Sequence, residues 1–311
     1  MKFLRRFSYF GYFLKNTPSV LGWKLFKRKK NTSRFRGVRH IDLELTNSTL
    51  KEYINKGEAF AAIRFGAVEL SCLNNHEKIE LGLKRKYKYL VKFSMKNNAG
   101  FYPIDDEHLK EYGDYFLPLL AETDLLGISG VHLEDYFAKY YTKNAKYILY
   151  EGMEPLRGDW IQNLSGKKVL VISPFVDDIE HQYAKKDLIF PKGFLPIFEL
   201  KLLQAPLTLG DQEGDQPTFF DGLEKMIDTI KTIDFDIALV GAGAYGSPLC
   251  LEIKKMGKMA IQTGGATQTM FGIIGKRWEN RPHVSKYVNE YWIKPSLKPK
   301  GFTKVEKGAY W

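Results

Sequence analysis

Arg64 and Glu69 stand five residues apart across a glycine, in the run Ala61-Ala62-Ile63-Arg64-Phe65-Gly66-Ala67-Val68-Glu69-Leu70. The apolar residues before Gly66 predict a short buried strand over 60–65, and those after it a helix that carries Glu69. A parallel strand that ends in glycine and turns into a helix opens at its carboxyl end into the crevice where α/β sheets bind ligands. A planar guanidinium there suits a phosphate or a carboxylate. A carboxylate there suits a metal ion or takes a proton. The same spacing also allows Arg64 and Glu69 to pair with each other, or Glu69 to cap the helix.

Four further places carry candidate chemistry. Gly241, Gly243 and Gly246 follow the apolar run 237–240 and precede a helix with Pro248 near its first turn, a spacing that lets backbone N–H groups approach a phosphate. An NAD site also needs an acid at the end of the next strand, and the chain has Gln262-Thr263-Gly264-Gly265 there, which weakens the dinucleotide reading. Lys276 and Arg277, after the last strand, either neutralise a diphosphate or form a solvated helix end. Asp177 and Asp178 follow the apolar run 169–172, where acids cap a helix or reach a site at the strand's end. Ser173 lies in the same loop. His132 and Glu134 form a weaker pair, and the six histidines show no paired metal-ligand spacing.

The run Arg64-Phe65-Gly66 with Glu69 resembles the Arg-Phe-Gly-Asp-Gly-Glu signature of the GT-D class of bacterial glycosyltransferases. The helix after Gly246 and the strand ending at Gly264-Gly265 resemble that family's closing unit, so the resemblance spans roughly residues 47–278. It implies a nucleotide-sugar donor, with an acidic pair serving the metal and the donor diphosphate. Here Ala67 stands where the family has aspartate and Val68 where it has glycine. One carboxylate of the pair is therefore present. Either Asp177 or Asp178 joins Glu69 in holding Mn²⁺ or Mg²⁺, or transfer runs without metal. The second is favoured because no other acid sits in the turn.

Charge is unevenly placed. Twelve of the 47 basic residues precede Asp42, the first acid, and the remaining 35 face 36 acids. The body thus lacks the excess of cations that nucleic-acid binding requires. The arm interleaves its cations with Phe3, Leu4, Phe7, Tyr9, Phe10, Tyr12, Phe13 and Leu14, and continues into the basic run 27–30. Its apolar run is too short to span a bilayer, and the pattern suits an anionic membrane surface. A helix packed on the body through these aromatics is the alternative. Cys72 and Cys250 read as buried apolar residues of a reducing interior.

Strands and helical patterns alternate from Gly57 to Gln262, which predicts an α/β fold with an open, mostly parallel, doubly wound (Rossmann-like) sheet. A helix is expected to start at 47–49 and end at Gly57, with others over 73–92 and 105–122. The polar stretch 205–221, with Asp211, Glu213 and Asp215, is expected to form a surface loop over the site. The Pro/Lys-rich residues 294–311 read as an extended tail. The expected organisation is an arm (1–40), an α/β body (41–293) and a tail.

The leading functional expectation is a glycosyltransferase in surface-polysaccharide biosynthesis. It uses a nucleotide-sugar donor and a lipid-linked or membrane-associated saccharide acceptor, and is cytoplasmic and peripheral on the inner face of the membrane. Arg64 and Glu69 are its catalytic candidates; Gly66, Gly241, Gly243, Gly246, Lys276 and Arg277 bind the donor. The alternatives are an NAD(P)-dependent oxidoreductase and a non-catalytic, membrane-bound sugar-binding or scaffold protein.

Overall fold

The computed structural model describes residues 2–26, 32–212 and 214–311. The basic run 27–30 and Glu213 lie outside the described residues. Helix α1 (Lys2–Phe26) leads into a two-stranded antiparallel ribbon, β1 (Arg34–Phe35) and β2 (Val38–Arg39). Helix α2 (Leu43–Lys56) begins at Asp42, whose carboxylate accepts from the Leu45 N–H at 2.8 Å, and ends at left-handed Gly57. The start expected at 47–49 therefore falls inside the helix. Asn47 instead accepts from the Trp160 N–H, which ties the helix to a later segment.

Strand β3 (Phe60–Arg64) is followed by α3 (Ala67–Glu80), α4 (Tyr89–Ser94) and α5 (Asp106–Leu119). The single helix expected over 73–92 is broken, because Gly82 adopts a left-handed conformation and the connection after it leaves Lys84, Arg85, Lys86 and Lys88 exposed around buried Tyr87. Next come β4 (Leu125–Ile128), α6 (Glu134–Tyr141), β5 (Lys146–Leu149), short 3₁₀ turns over 150–164, and β6 (Lys168–Ser173). Helices α7 (Val176–Tyr183) and α8 (Lys186–Ile189) then lead to β7 (Glu199–Gln204) and α9 (Phe219–Thr232). The chain closes with β8 (Ile237–Val240), α10 (Gly246–Lys255), β9 (Met259–Ile261) and α11 (Pro282–Ser285).

The strands from β3 to β9 form one seven-stranded sheet in the order β5-β4-β3-β9-β8-β6-β7, and every pair is parallel. Such a sheet needs cover on both faces. Side chains alternate accordingly: Ala61, Ile63, Leu170 and Ile172 join the core under α3, α5, α6, α9 and α10. Phe60, Ala62, Val169 and Val171 join the opposite core with residues of α2, α7 and the 3₁₀ turns. The chain steps outward from β6 to β7 but inward from β8 to β9, so α7 and α10 leave adjacent strands on opposite faces. That divergence is a topological switch point, and it opens a crevice at the carboxyl ends of β6 and β8.

Helix α1 takes the alternative that the sequence left open and is packed on the body: Arg5 pairs with buried Glu77 at 2.8 Å, and the Tyr9 hydroxyl donates to Asn74 at 2.6 Å. Asn16 and Lys15 both reach Asp135, each at 2.9 Å. Among the described residues no helix is long and apolar enough to cross a membrane. Residues 294–311 do not form an extended tail but fold back. Val305 and Trp311 are buried, the Lys276 N–H donates to the Trp311 carbonyl, and the Arg277 N–H donates to that of Ala309. The driving force is aromatic burial, with Trp311 meeting Phe175 and Phe302 edge-on.

Candidate functional site

A pocket lies over the carboxyl ends of β3, β9, β8 and β6, lined from below by Arg64, Gln262, Gly241 and Ser173. Its rim is closed by Thr208 from the stretch after β7 and by Glu306 and Tyr310 from the folded-back C-terminal residues. The first residues of α3 and the Gly243–Tyr245 turn before α10 also line it, so two helix N-termini meet there.

Arg64 is the last residue of β3. Its backbone N–H donates to Gln262 Oε1 at 2.9 Å, and the same oxygen accepts from Ser247 Oγ at 2.9 Å. Gln262 thus clamps β3 to the end of β9 and to the start of α10. The Arg64 guanidinium sits 4.8 Å from the Tyr150 ring centroid, a cation–π contact. Its Nε is shielded from water and has no hydrogen-bond partner among the described residues. Burial works against the charge, but Tyr150, Glu69, Tyr310 and Glu154 outweigh it and raise the pKa.

Glu69 lies in the first turn of α3 and faces the same pocket. Among the described residues neither Glu69 nor the Arg64 side chain has an ion-pair partner, so the pairing allowed by their spacing is not made. The Glu69 carboxylate folds back over Gly66 and occupies the space a Cβ would take there. Ala67 and Val68 occupy the positions between them and line the pocket without supplying a second carboxylate.

The glycine trio divides. Gly241 and Gly243 line the pocket. Gly243 has φ +53, a left-handed conformation that brings its backbone against the Ala99 carbonyl. Gly246 instead packs against the Gln262 amide and does not line the pocket. Its role is close packing of α10 on the sheet, not contact with a bound group.

The basic pair divides as well. Arg277 lines the pocket, with its guanidinium 4.7 Å from the Tyr310 ring centroid, a 3.1 Å hydrogen bond to the Tyr310 hydroxyl, and an ion pair to Glu306. Lys276 is exposed and outside it. Asp177 and Asp178 also lie outside. Asp177 is exposed, and buried Asp178 accepts from the Ser296 N–H at 2.9 Å, anchoring the C-terminal segment. Glu134 accepts from the N–H groups of Ser129 and Gly130, which fixes a loop, and neither it nor His132 lines the pocket.

The cysteines and one histidine cluster lie apart from this pocket. Burial pushes the Cys72 and Cys250 thiols well above their ordinary value, so neither is a thiolate nucleophile. His76, Glu80 and Asp114 approach one another on α3 and α5, among residues outside the pocket. His76 Nδ1 is engaged by the Tyr87 hydroxyl at 2.9 Å, and burial lowers the imidazole pKa.

Tyr150, Gln262, Glu306 and Tyr310 were not marked as site residues by sequence. Gln262 stood out there only as the absence of a ribose acid, and Tyr310 only as an aromatic end of a tail. No protein-family model, curated protein or solved structure matches this chain.

Proposed function

We propose that the protein transfers a sugar from a nucleotide-sugar donor to a saccharide acceptor. The observation that carries this reading is that Arg64 and Glu69, a cation and an anion with no ion-pair partner among the described residues, line one pocket at the carboxyl edge of a doubly wound sheet. Arg64 and Arg277 supply the fixed cations for a donor diphosphate, and the backbone at Gly241, Gly243 and the start of α3 supplies N–H donors. Tyr150 and Tyr310 offer ring faces beside them.

In the transfer step the acceptor hydroxyl oxygen bonds to the anomeric carbon. The bond from that carbon to the diphosphate oxygen breaks, and its electron pair leaves with the diphosphate. Glu69 takes the acceptor's proton. Asp177 and Asp178 are outside the pocket and Glu306 is paired with Arg277. That donor set favours transfer without a metal, with arginine offsetting the leaving charge. The acceptor is proposed to be lipid-linked or membrane-associated, in surface-polysaccharide assembly at the inner, cytoplasmic face of a membrane.

The oxidoreductase alternative is weakened by Gly246, which packs inside the fold, and by Gln262 in place of a ribose acid. Calorimetric titration with UDP, GDP, CMP and NAD separates the readings. Binding of a nucleoside diphosphate supports sugar transfer, binding of NAD supports the dehydrogenase, and silence with all four supports a non-catalytic protein.

A further inference from the structure

We propose that α1 seats the protein on an anionic lipid bilayer through an apolar stripe formed by Phe3, Phe7, Phe10, Leu14 and Leu21. The five residues are spaced four, three, four and seven apart, which at about 100° per residue gathers them within about 60° of arc. All five are exposed, from 49% at Phe10 to 68% at Leu14. The opposite side of the helix is the one that holds the body, through Arg5, Tyr9 and Asn16. Docking to the body therefore fixes the stripe outward and does not use it up.

The charges identify the occupant. Helix α1 has no acidic residue, and Lys2, Arg6 and Lys15 flank the stripe. Arg6 donates to the carbonyls of Leu81 and Gly82, which holds the exposed basic turn with Lys84, Arg85, Lys86 and Lys88 beside the helix. Leu90 and Phe93 follow in α4, also exposed. Apolar rings bordered by cations suit acyl chains beneath anionic headgroups. A second copy of the chain would instead bring two like-charged arms together. The inference deepens the membrane placement proposed above by naming the surface that makes contact. Vesicle binding needs no donor turnover, so failure of either proposal is visible without the other.

The test is co-sedimentation of the full chain with phosphatidylcholine vesicles, with and without phosphatidylglycerol. The comparison is with a Phe7→Glu/Phe10→Glu variant whose melting temperature is checked in parallel. Expected are binding to the anionic vesicles alone, weakening as salt screens it, and a partition coefficient at least about tenfold lower for the variant. A Phe3→Ser/Leu14→Ser variant repeats the measurement if the first one melts early. Equal sedimentation of the wild type and a folded variant overturns the proposal. So does absence of wild-type binding, or a wild-type dimer that depends on Phe7 and Phe10 and ignores vesicles.

Discussion

Arg64 and Glu69 flank the turn at Gly66 and face one pocket, yet they do not pair with each other. Arg64 is held by backbone contacts to Gln262 and by the ring of Tyr150, while its Nε is buried without a partner among the described residues. A guanidinium left in that state carries an unmet desolvation cost, which a bound anion would relieve. The two side chains are available for a ligand.

Glu69→Gln keeps the shape and removes the charge. With no ion pair to break, stability should change by less than about 0.5 kcal/mol. Loss of a general base should lower kcat by about 10²–10⁴-fold. Paired thermal melts and donor-turnover assays check this; a lower melting temperature with full activity would make Glu69 structural.

Arg64→Lys keeps the charge but loses the planar fork and its stacking on Tyr150. Affinity for a nucleoside diphosphate should fall about tenfold or more, measured by calorimetry. An unchanged affinity would place the anion elsewhere in the pocket.

Glu306→Gln should release Arg277 from its ion pair. The pair is partly exposed, so the effect is modest: diphosphate affinity should rise by up to about fivefold, in line with up to about 1 kcal/mol for such pairs. A fall in affinity would show that Glu306 itself contacts the ligand.

Arg5→Ala removes the cation beside Glu77, which is 1% exposed. Burial raises the Glu77 pKa above 4.5, and the Tyr136 hydrogen bond and Arg5 hold it down. In the folded state the carboxyl thus keeps its proton to higher pH than in the unfolded chain, so its contribution to stability falls as pH rises from 4.5 through the folded value. Removing Arg5 pushes the folded value further up and widens that window. Denaturant melts should show a loss of about 1–3 kcal/mol near neutrality that shrinks in acid. A loss independent of pH would contradict this. By the same contacts, deleting α1 should destabilise the body.

The parts of this architecture written in local pattern were legible in the sequence. The apolar runs of β3, β6 and β8 and the glycines at 57, 66 and 241–246 predict a parallel sheet and the crevice at its edge. Strand β7 was missed because it lies at the sheet edge, where Glu199, Lys201 and Gln204 interrupt the apolar residues. The C-terminal segment was misread because its prolines and lysines describe an exposed chain. Its burial depends on Trp311 and Val305 meeting residues more than a hundred positions earlier, such as Phe175. Asp177 and Asp178 were reasonable site candidates by topology, and only the structure shows Asp178 engaged with Ser296.

The most direct test of the central claim is release of nucleoside diphosphate from UDP- and GDP-sugars by the purified protein, assayed with EDTA and with added Mn²⁺. Release from a nucleotide sugar should persist in EDTA and be lost in Glu69→Gln. No release from any donor under either condition, with the protein folded, would contradict it.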